Sequence, residues 1–277
     1  MAIAVTTALL IVFLTYVALC ALFYFGQDLF FFRPERLPQW FAYQYPFPFA
    51  EINFEMDDGG SVNALHFRVP NSKGVVFYIK GNSRSIKGWG KFAKDFVGKG
   101  YDFFILDYRG FGKSKGRRSE QILHDDLEEV YNWLKAEYGS EKKIVLYGRS
   151  LGSGLAARLA SRHRPQSLIL DCPYYSFLYH ISRYGFLLPV RWLLRYPIRT
   201  DLYIREVRCP VRILHGSRDR LIPYRQSEML LALAPERIML YPIQGAGHNN
   251  LPDFEQYHDL LYELLHAEEI TVVARRA

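Results

Sequence analysis

The sequence predicts an α/β fold with a mostly parallel sheet flanked by helices, and three observations carry that prediction. Short apolar runs of β character recur near residues 74–79, 102–107, 143–147, 167–171, 211–215 and 237–241. Helical patterns lie between them near 87–99, 120–138, 151–163 and 225–233, with a last one near 252–267. Several of the apolar runs stop at small-residue loops that carry a polar side chain, the place where such folds keep their active loops.

Taken in order, the chain opens with a stretch free of charge from Ala2 to Phe25. About 23 residues at 1.5 Å rise give roughly 35 Å, enough to cross a hydrocarbon core of about 30 Å. Thr6, Thr7 and Thr15 interrupt it only mildly, because a hydroxyl bonds back to its own helix. A basic leader and a small-x-small cleavage site are both missing, so an uncleaved single-pass anchor over 1–27 is expected rather than a signal peptide. Arg33 and Arg36 follow the span closely, which places the bulk of the chain on the cytoplasmic side. Residues 28–50 are rich in aromatic side chains and proline, and read as an interfacial belt at headgroup level; a linker packed on the protein's own surface is the alternative.

The remaining domain, 51–277, begins with two alternating segments around Asp57-Asp58-Gly59-Gly60, a hairpin signal. At 143–154 an apolar run stops at Gly148-Arg149-Ser150-Leu151-Gly152, with a helix-forming stretch directly behind it. A serine in such a strained strand-to-helix turn projects its Oγ from the sheet edge, and the glycines remove side chains that would collide there. The first N–H groups of the following helix lack intrahelical partners and face the same point. Two later runs end in the same manner, one with Asp219 in Gly216-Ser217-Arg218-Asp219 and one with His248 in Gly245-Ala246-Gly247-His248. Ser150, Asp219 and His248 are therefore the expected catalytic triad. Asp171, which also ends a strand, is the alternative acid. Between Asp171 and Val211 lies a long interruption, about 173–208, expected to form a short helical cap. Tyr174, Phe177, Tyr184 and Phe186 within it are the expected substrate-binding residues. Arg183, Arg191, Arg195 and Arg199 would form a basic stripe if one helix carried them, lying against headgroups or simply solvated.

These features resemble the α/β-hydrolase superfamily, over nearly everything from Glu51 onward. The order Ser…Asp…His is that of the superfamily. The segment Val75-Val76-Phe77-Tyr78-Ile79-Lys80-Gly81-Asn82 resembles its oxyanion strand and loop, and Asp107-Tyr108-Arg109-Gly110-Phe111-Gly112-Lys113-Ser114 its next turn. The whole is similar to membrane-anchored serine hydrolases of the α/β-hydrolase-domain type, and more loosely to serine aminopeptidase-like and acyl-thioesterase branches. The resemblance implies an α/β-hydrolase fold and an oxyanion hole made by the backbone N–H groups of Leu151 and Asn82. Lys80 departs from the pattern, standing where the superfamily has histidine before the glycine.

Bulk properties narrow the function further. Of 277 residues 49% are apolar and 16% aromatic, ample for a buried sheet. The net charge of +7 comes without a basic helix, zinc spacing or RNA-binding signature, so no nucleic-acid partner is expected and a bilayer is. Three cysteines, Cys20, Cys172 and Cys209, give neither a disulfide framework nor a metal-ligand spacing. Gly112-Lys113-Ser114 is not a P-loop end, because Asp107 occupies the position of its first glycine. His124-Asp125-Asp126 reads as a solvated helix face rather than a metal site. No metal or cofactor is expected. The expected activity is that of a membrane-anchored serine hydrolase cleaving acyl esters or thioesters through an acyl-serine intermediate, on an acyl-ester or acylated substrate; a peptidase or amidase, and a non-catalytic membrane scaffold, remain open.

Overall fold

The computed structural model describes residues 1–185 and 187–266. Among the described residues one sheet of eight strands runs through the body, in the order β1-β2-β4-β3-β5-β6-β7-β8. β1 (Phe49–Glu55) and β2 (Ser61–Phe67) form the antiparallel hairpin, Ala50 opposite His66, and β2 continues antiparallel onto β4 (Asp102–Leu106). All remaining pairings are parallel, through β3 (Val75–Ile79), β5 (Ile144–Arg149), β6 (Ser167–Asp171), β7 (Val211–Gly216) and β8 (Ile238–Ile243). β3, β4 and β5 are buried on both faces, which is why they read as unbroken apolar runs rather than alternating ones.

Helices cover both faces. α4 (Glu120–Tyr138) starts at Ser119, whose hydroxyl accepts from the Ile122 amide, and ends at Gly139 in the left-handed region. With α5 (Leu151–Arg162) it packs one core, around Leu127, Leu146 and Leu155. The opposite core gathers Phe96, Tyr147 and Leu261, and takes in α10 (Glu255–Leu265). The expected helix at 87–99 is instead α2 (Ile86–Trp89) and α3 (Lys94–Val97) joined by a 3₁₀ turn. α9 (Arg225–Leu231) follows β7.

The interruption after β6 breaks into three short helices, α6 (Phe177–Ser182), α7 (Val190–Leu193) and α8 (Thr200–Glu206). The basic stripe is therefore not formed. Arg183 lies just past α6, Arg191 is in α7, Arg195 pairs with Asp28, and Arg199 pairs with Asp201. Gly185, Pro189 and Pro197 punctuate the segment, and proline prevents a helix from running on through it.

α1 (Ala2–Phe31) is a single helix of 30 residues, long and apolar enough to cross a membrane and free of burial over its apolar window. Thr6 and Thr7 donate to the Ala2 and Ile3 carbonyls at 3.1 and 2.9 Å. The helix runs four residues past the expected boundary at 27. The segment after it is not a belt standing off the body. Phe32 and Tyr43 are buried, Leu37 N–H donates to Gly112 O and Gly112 N–H to Glu35 O, and Tyr43 OH donates to Asn63. Only some rings, notably Trp40, stay exposed. Phe41, Tyr45, Phe47 and Phe49 are partly buried against the core, so much of the aromatic content packs on the domain.

The expectation for 124–126 also needs correction. His124 and Asp126 are buried, and Asp126 accepts a two-pronged hydrogen bond from Arg109, Nε at 2.9 Å and Nη2 at 2.7 Å. The pair ties α4 to the turn after β4.

Candidate active site

Ser150 sits between β5 and α5 at φ 51° and ψ −118°, a region that costs a non-glycine residue about 1–3 kcal/mol. The surroundings impose it. Ser150 N–H donates to Asp171 O at 2.9 Å, and its carbonyl accepts from both the amide and the hydroxyl of Ser153. A side chain at Gly148 would come 2.8 Å from the Ser153 Cα, and one at Gly152 would run into the Ile79 carbonyl. The two glycines thus let the turn close against β3, leaving the Oγ at the sheet edge.

Three segments far apart in sequence meet here. His248 Nε2 lies 2.9 Å from Ser150 Oγ, and its Nδ1 lies 2.7 Å from Asp219 Oδ2. The aspartate divides its work between its oxygens. Oδ1 accepts from the amides of Leu221 and Ile222, both at 2.9 Å, which fixes the carboxylate plane and frees Oδ2 for the imidazole. Burial alone would raise this carboxyl, but hydrogen bonds from His215 and His248 and the Ile222 amide outweigh it and hold it well below the ordinary range. His215, which the sequence does not mark, lies 3.3 Å from Oδ2, while its Nε2 donates to Ile222 O and its Nδ1 meets Ser227 Oγ.

Asp171, the alternative acid, is engaged elsewhere. Its Oδ2 accepts from Tyr147 OH at 2.8 Å and faces Arg149 Nε at 3.6 Å. That carboxylate balances the buried Arg149 guanidinium, which lies 5.5 Å from the Trp89 ring centroid. Cys172, His215 and Asp219 bring donor atoms within 4.8 Å of one another, yet the nitrogens of His215 and the oxygens of Asp219 already have partners. Burial pushes the Cys172 thiol well up, away from the thiolate a metal needs. The cluster does not fit a metal ion.

The loop after β3 closes the other side. Leu151 and Asn82 both line the cavity around Ser150. Asn82 is clamped by the end of α1: its Nδ2 donates to Phe31 O at 2.7 Å and its carbonyl accepts from Arg33 N–H at 2.9 Å. Lys80 turns inward. It is fully buried, 3.4 Å from Asp107 Oδ1 and 3.9 Å from the Phe111 ring centroid, and donates to Arg84 O at 3.3 Å. Burial pushes the ammonium down and the Asp107 carboxyl up, each opposed by the other's charge. Asp107 also accepts from Ile86 N–H, so the lysine and its partner brace the loop from beneath without entering the cavity.

The cavity has a volume of about 760 Å³. Of the residues expected to bind substrate, Tyr174, Phe177 and Tyr184 line it; Phe186 lies outside the described residues. Tyr174 is buried, and its hydroxyl donates to Leu151 O at 3.0 Å, so it also holds the start of α5. Trp89, His180 and Ile222 contribute to the lining without any motif to announce them, as does Arg149 from the variable position of the serine turn. Burial, with the charges of His248 and Arg183 adding to it, holds His180 down to about 4.

Comparison with known proteins agrees with this architecture. A sequence model of the family described as serine aminopeptidase, S33, matches residues 70–196. An uncharacterized protein of Mycobacterium tuberculosis is 29% identical over 247 residues, covering 84% of this chain and 87% of that protein. Alpha/beta hydrolase domain-containing protein 17C of Xenopus tropicalis is 29% identical over 214 residues; these are 72% of this chain and span 64% of that relative's length. An esterase of Pyrococcus furiosus superposes with a TM-score of 0.68 at 20% identity, over 85% of this chain and 97% of that one. An α/β hydrolase of Vibrio vulnificus gives 0.62 at 18%, over 81% and 80%. With its eight-stranded sheet and its serine elbow the chain has the α/β-hydrolase fold, and over these spans it is similar to the serine aminopeptidase family and to α/β-hydrolase-domain proteins.

Proposed function

We propose that this hydrolase is a membrane-anchored serine hydrolase that cleaves acyl esters or thioesters through an acyl-serine intermediate. The observation that carries the reading is the unbroken contact Ser150 Oγ–His248 Nε2 at 2.9 Å and His248 Nδ1–Asp219 Oδ2 at 2.7 Å. In the first step Ser150 Oγ bonds to the acyl carbon while His248 Nε2 takes the hydroxyl proton. That proton passes to the leaving alcohol or thiol as the acyl–oxygen or acyl–sulfur bond breaks. A water then gives its proton to His248 and its oxygen to the acyl carbon, and the serine recovers its proton as it leaves. Asp219 holds the imidazole tautomer and offsets its transient positive charge. The amides of Leu151 and Asn82 would receive the oxyanion, each contributing about 2.7–4 kcal/mol to the transition state.

The apolar lining from Phe31, Phe177, Ile181 and Leu188 favours an acyl chain over a free amine, for which no carboxylate is present among the described lining residues. The topology follows the same reading: α1 spans the bilayer, and the body lies on the cytoplasmic side. Support comes from Arg33 and Arg36 just past the span, and from Arg117, Arg118 and Arg195, which share with Arg36 a concavity beside Asp28. Ser150→Ala should abolish both p-nitrophenyl ester turnover and labelling by a fluorophosphonate. Turnover or labelling retained in that variant would overturn the assignment.

A further inference from the structure

The cavity that holds Ser150 and His248 is not enclosed by the catalytic body alone. Phe23, Phe30 and Phe31 of α1 belong to its wall. Together with Gln27 they stand at i, i+4, i+7 and i+8, one face of a helix. On other faces Phe25 and Leu29 are 76% and 82% exposed. The pocket face is pinned to the cap. Gln27, fully buried, donates to Leu193 O at 2.7 Å and accepts from Arg195 N–H at 2.8 Å. Asp28 accepts from Tyr196 OH at 2.8 Å, and the Phe31 ring meets Phe177 edge-on at 5.1 Å. At the catalytic end, Phe31 O holds the Asn82 side chain.

We propose that the last two turns of α1 form one wall of an acyl-chain site, so that a long acyl group reaches Ser150 along the anchor helix without leaving the bilayer. This rests on the reading of Ser150 as nucleophile and of α1 as a span. From Phe31 to Phe23 the wall extends about 12 Å along the helix axis, toward the part of α1 that lies in lipid. Phe177, Ile181 and Leu188 of the cap line the same cavity, with Phe177 closing it against Phe31, so apolar side chains come to it from both α1 and the cap. Lipid chains and this groove offer a chain the same apolar surroundings. Transfer therefore spares the desolvation step that a route through water would require. The occupant is a long, unbranched acyl chain whose carbonyl stops at Ser150.

The test compares kcat/KM for p-nitrophenyl palmitate and p-nitrophenyl butyrate, with the full chain in detergent micelles. Phe23→Trp and Phe31→Trp narrow the groove and should lower the palmitate-to-butyrate ratio by at least about tenfold. Phe31→Ala widens it and should raise the ratio of icosanoate to palmitate ester. Leu29→Trp, on the outward face, should leave both ratios at the wild-type value. In a second arm, Ser150→Ala binds hexadecanoate, and adding Phe31→Trp should weaken that binding by about tenfold, or 1.4 kcal/mol. Brisk turnover with ratios and binding indifferent to Phe23 and Phe31 overturns the acyl wall and leaves the hydrolase reading standing. Binding that depends on Phe31, in a protein that hydrolyses no ester, does the reverse.

Discussion

Ser150 pays for its exposed hydroxyl with a backbone conformation few serines adopt, and the cost is tolerable because Gly148 and Gly152 let β3 and α5 come close. Gly152→Ala would drive a methyl group into the carbonyls of Ile79 and Lys80, so loss of folded protein is expected, read as a fall in Tm or in yield. Asp219→Asn keeps the shape but loses the acceptor that orients His248. Its kcat should fall about 10⁴-fold, with ester turnover as the assay. Acid should weaken the native state in two windows. His180 is held at about 4 against an ordinary 6.5, so the unfolded chain binds its proton first and stability declines as pH falls between those values. Asp219, depressed further, contributes stability above the ordinary aspartate range that is lost on going below it. Thermal unfolding of the wild type from pH 7 to pH 3 should show both declines; Asp219→Asn should lack the lower one. The meeting of Ser150, His248 and Asp219 was legible in the sequence because each of them follows a strand in a small-residue loop. His215 was not, since a histidine inside β7 carries no sign that Ser227 and Ile222 await its nitrogens.

At the scale of elements, strands and long helices could be read from periodicity, whereas the short helices of 86–97 and of the cap could not. The stretch 86–97 has helical composition, yet Gly88, Gly90 and the need to reach β4 divide it. The cap is the plainer case: Arg183, Arg191, Arg195 and Arg199 keep a helical spacing, but prolines cut the helix that would align them. The burial of His124 and Asp126 is hidden from the sequence for another reason. A charged pair looks solvated until its partner is known, and Arg109 arrives from another element. Lys80 and Asp107 offer a test at this scale. Lys80→Met strands a buried carboxylate, so a loss of about 3–5 kcal/mol is expected in denaturant unfolding, with the oxyanion loop failing alongside. A histidine there could not reach Arg84 O and Asp107 in the same way, which gives the departure from the superfamily pattern a structural use.

For the molecule as a whole, the sequence separates an apolar helix from a catalytic domain, while the structure joins them. The contacts responsible span 166 residues from Gln27 to Leu193, beyond the reach of any local pattern. A polar Gln27-Asp28 pair closing an apolar run was the one available sign. Gln27→Leu removes a buried donor and acceptor and leaves the Leu193 carbonyl and the Arg195 amide unpaired. The expected cost is about 1–3 kcal/mol for each orphaned group, with faster hydrogen exchange across 190–196 as the readout.

The clamp on Asn82 has one more consequence. Because the Phe31 carbonyl and the Arg33 amide grip that asparagine, a protease cutting between them would cost the catalytic loop its brace at the moment of release. Cleavage there would both part α1 from the body and loosen the loop that carries Asn82, so the two losses should arrive together in limited proteolysis.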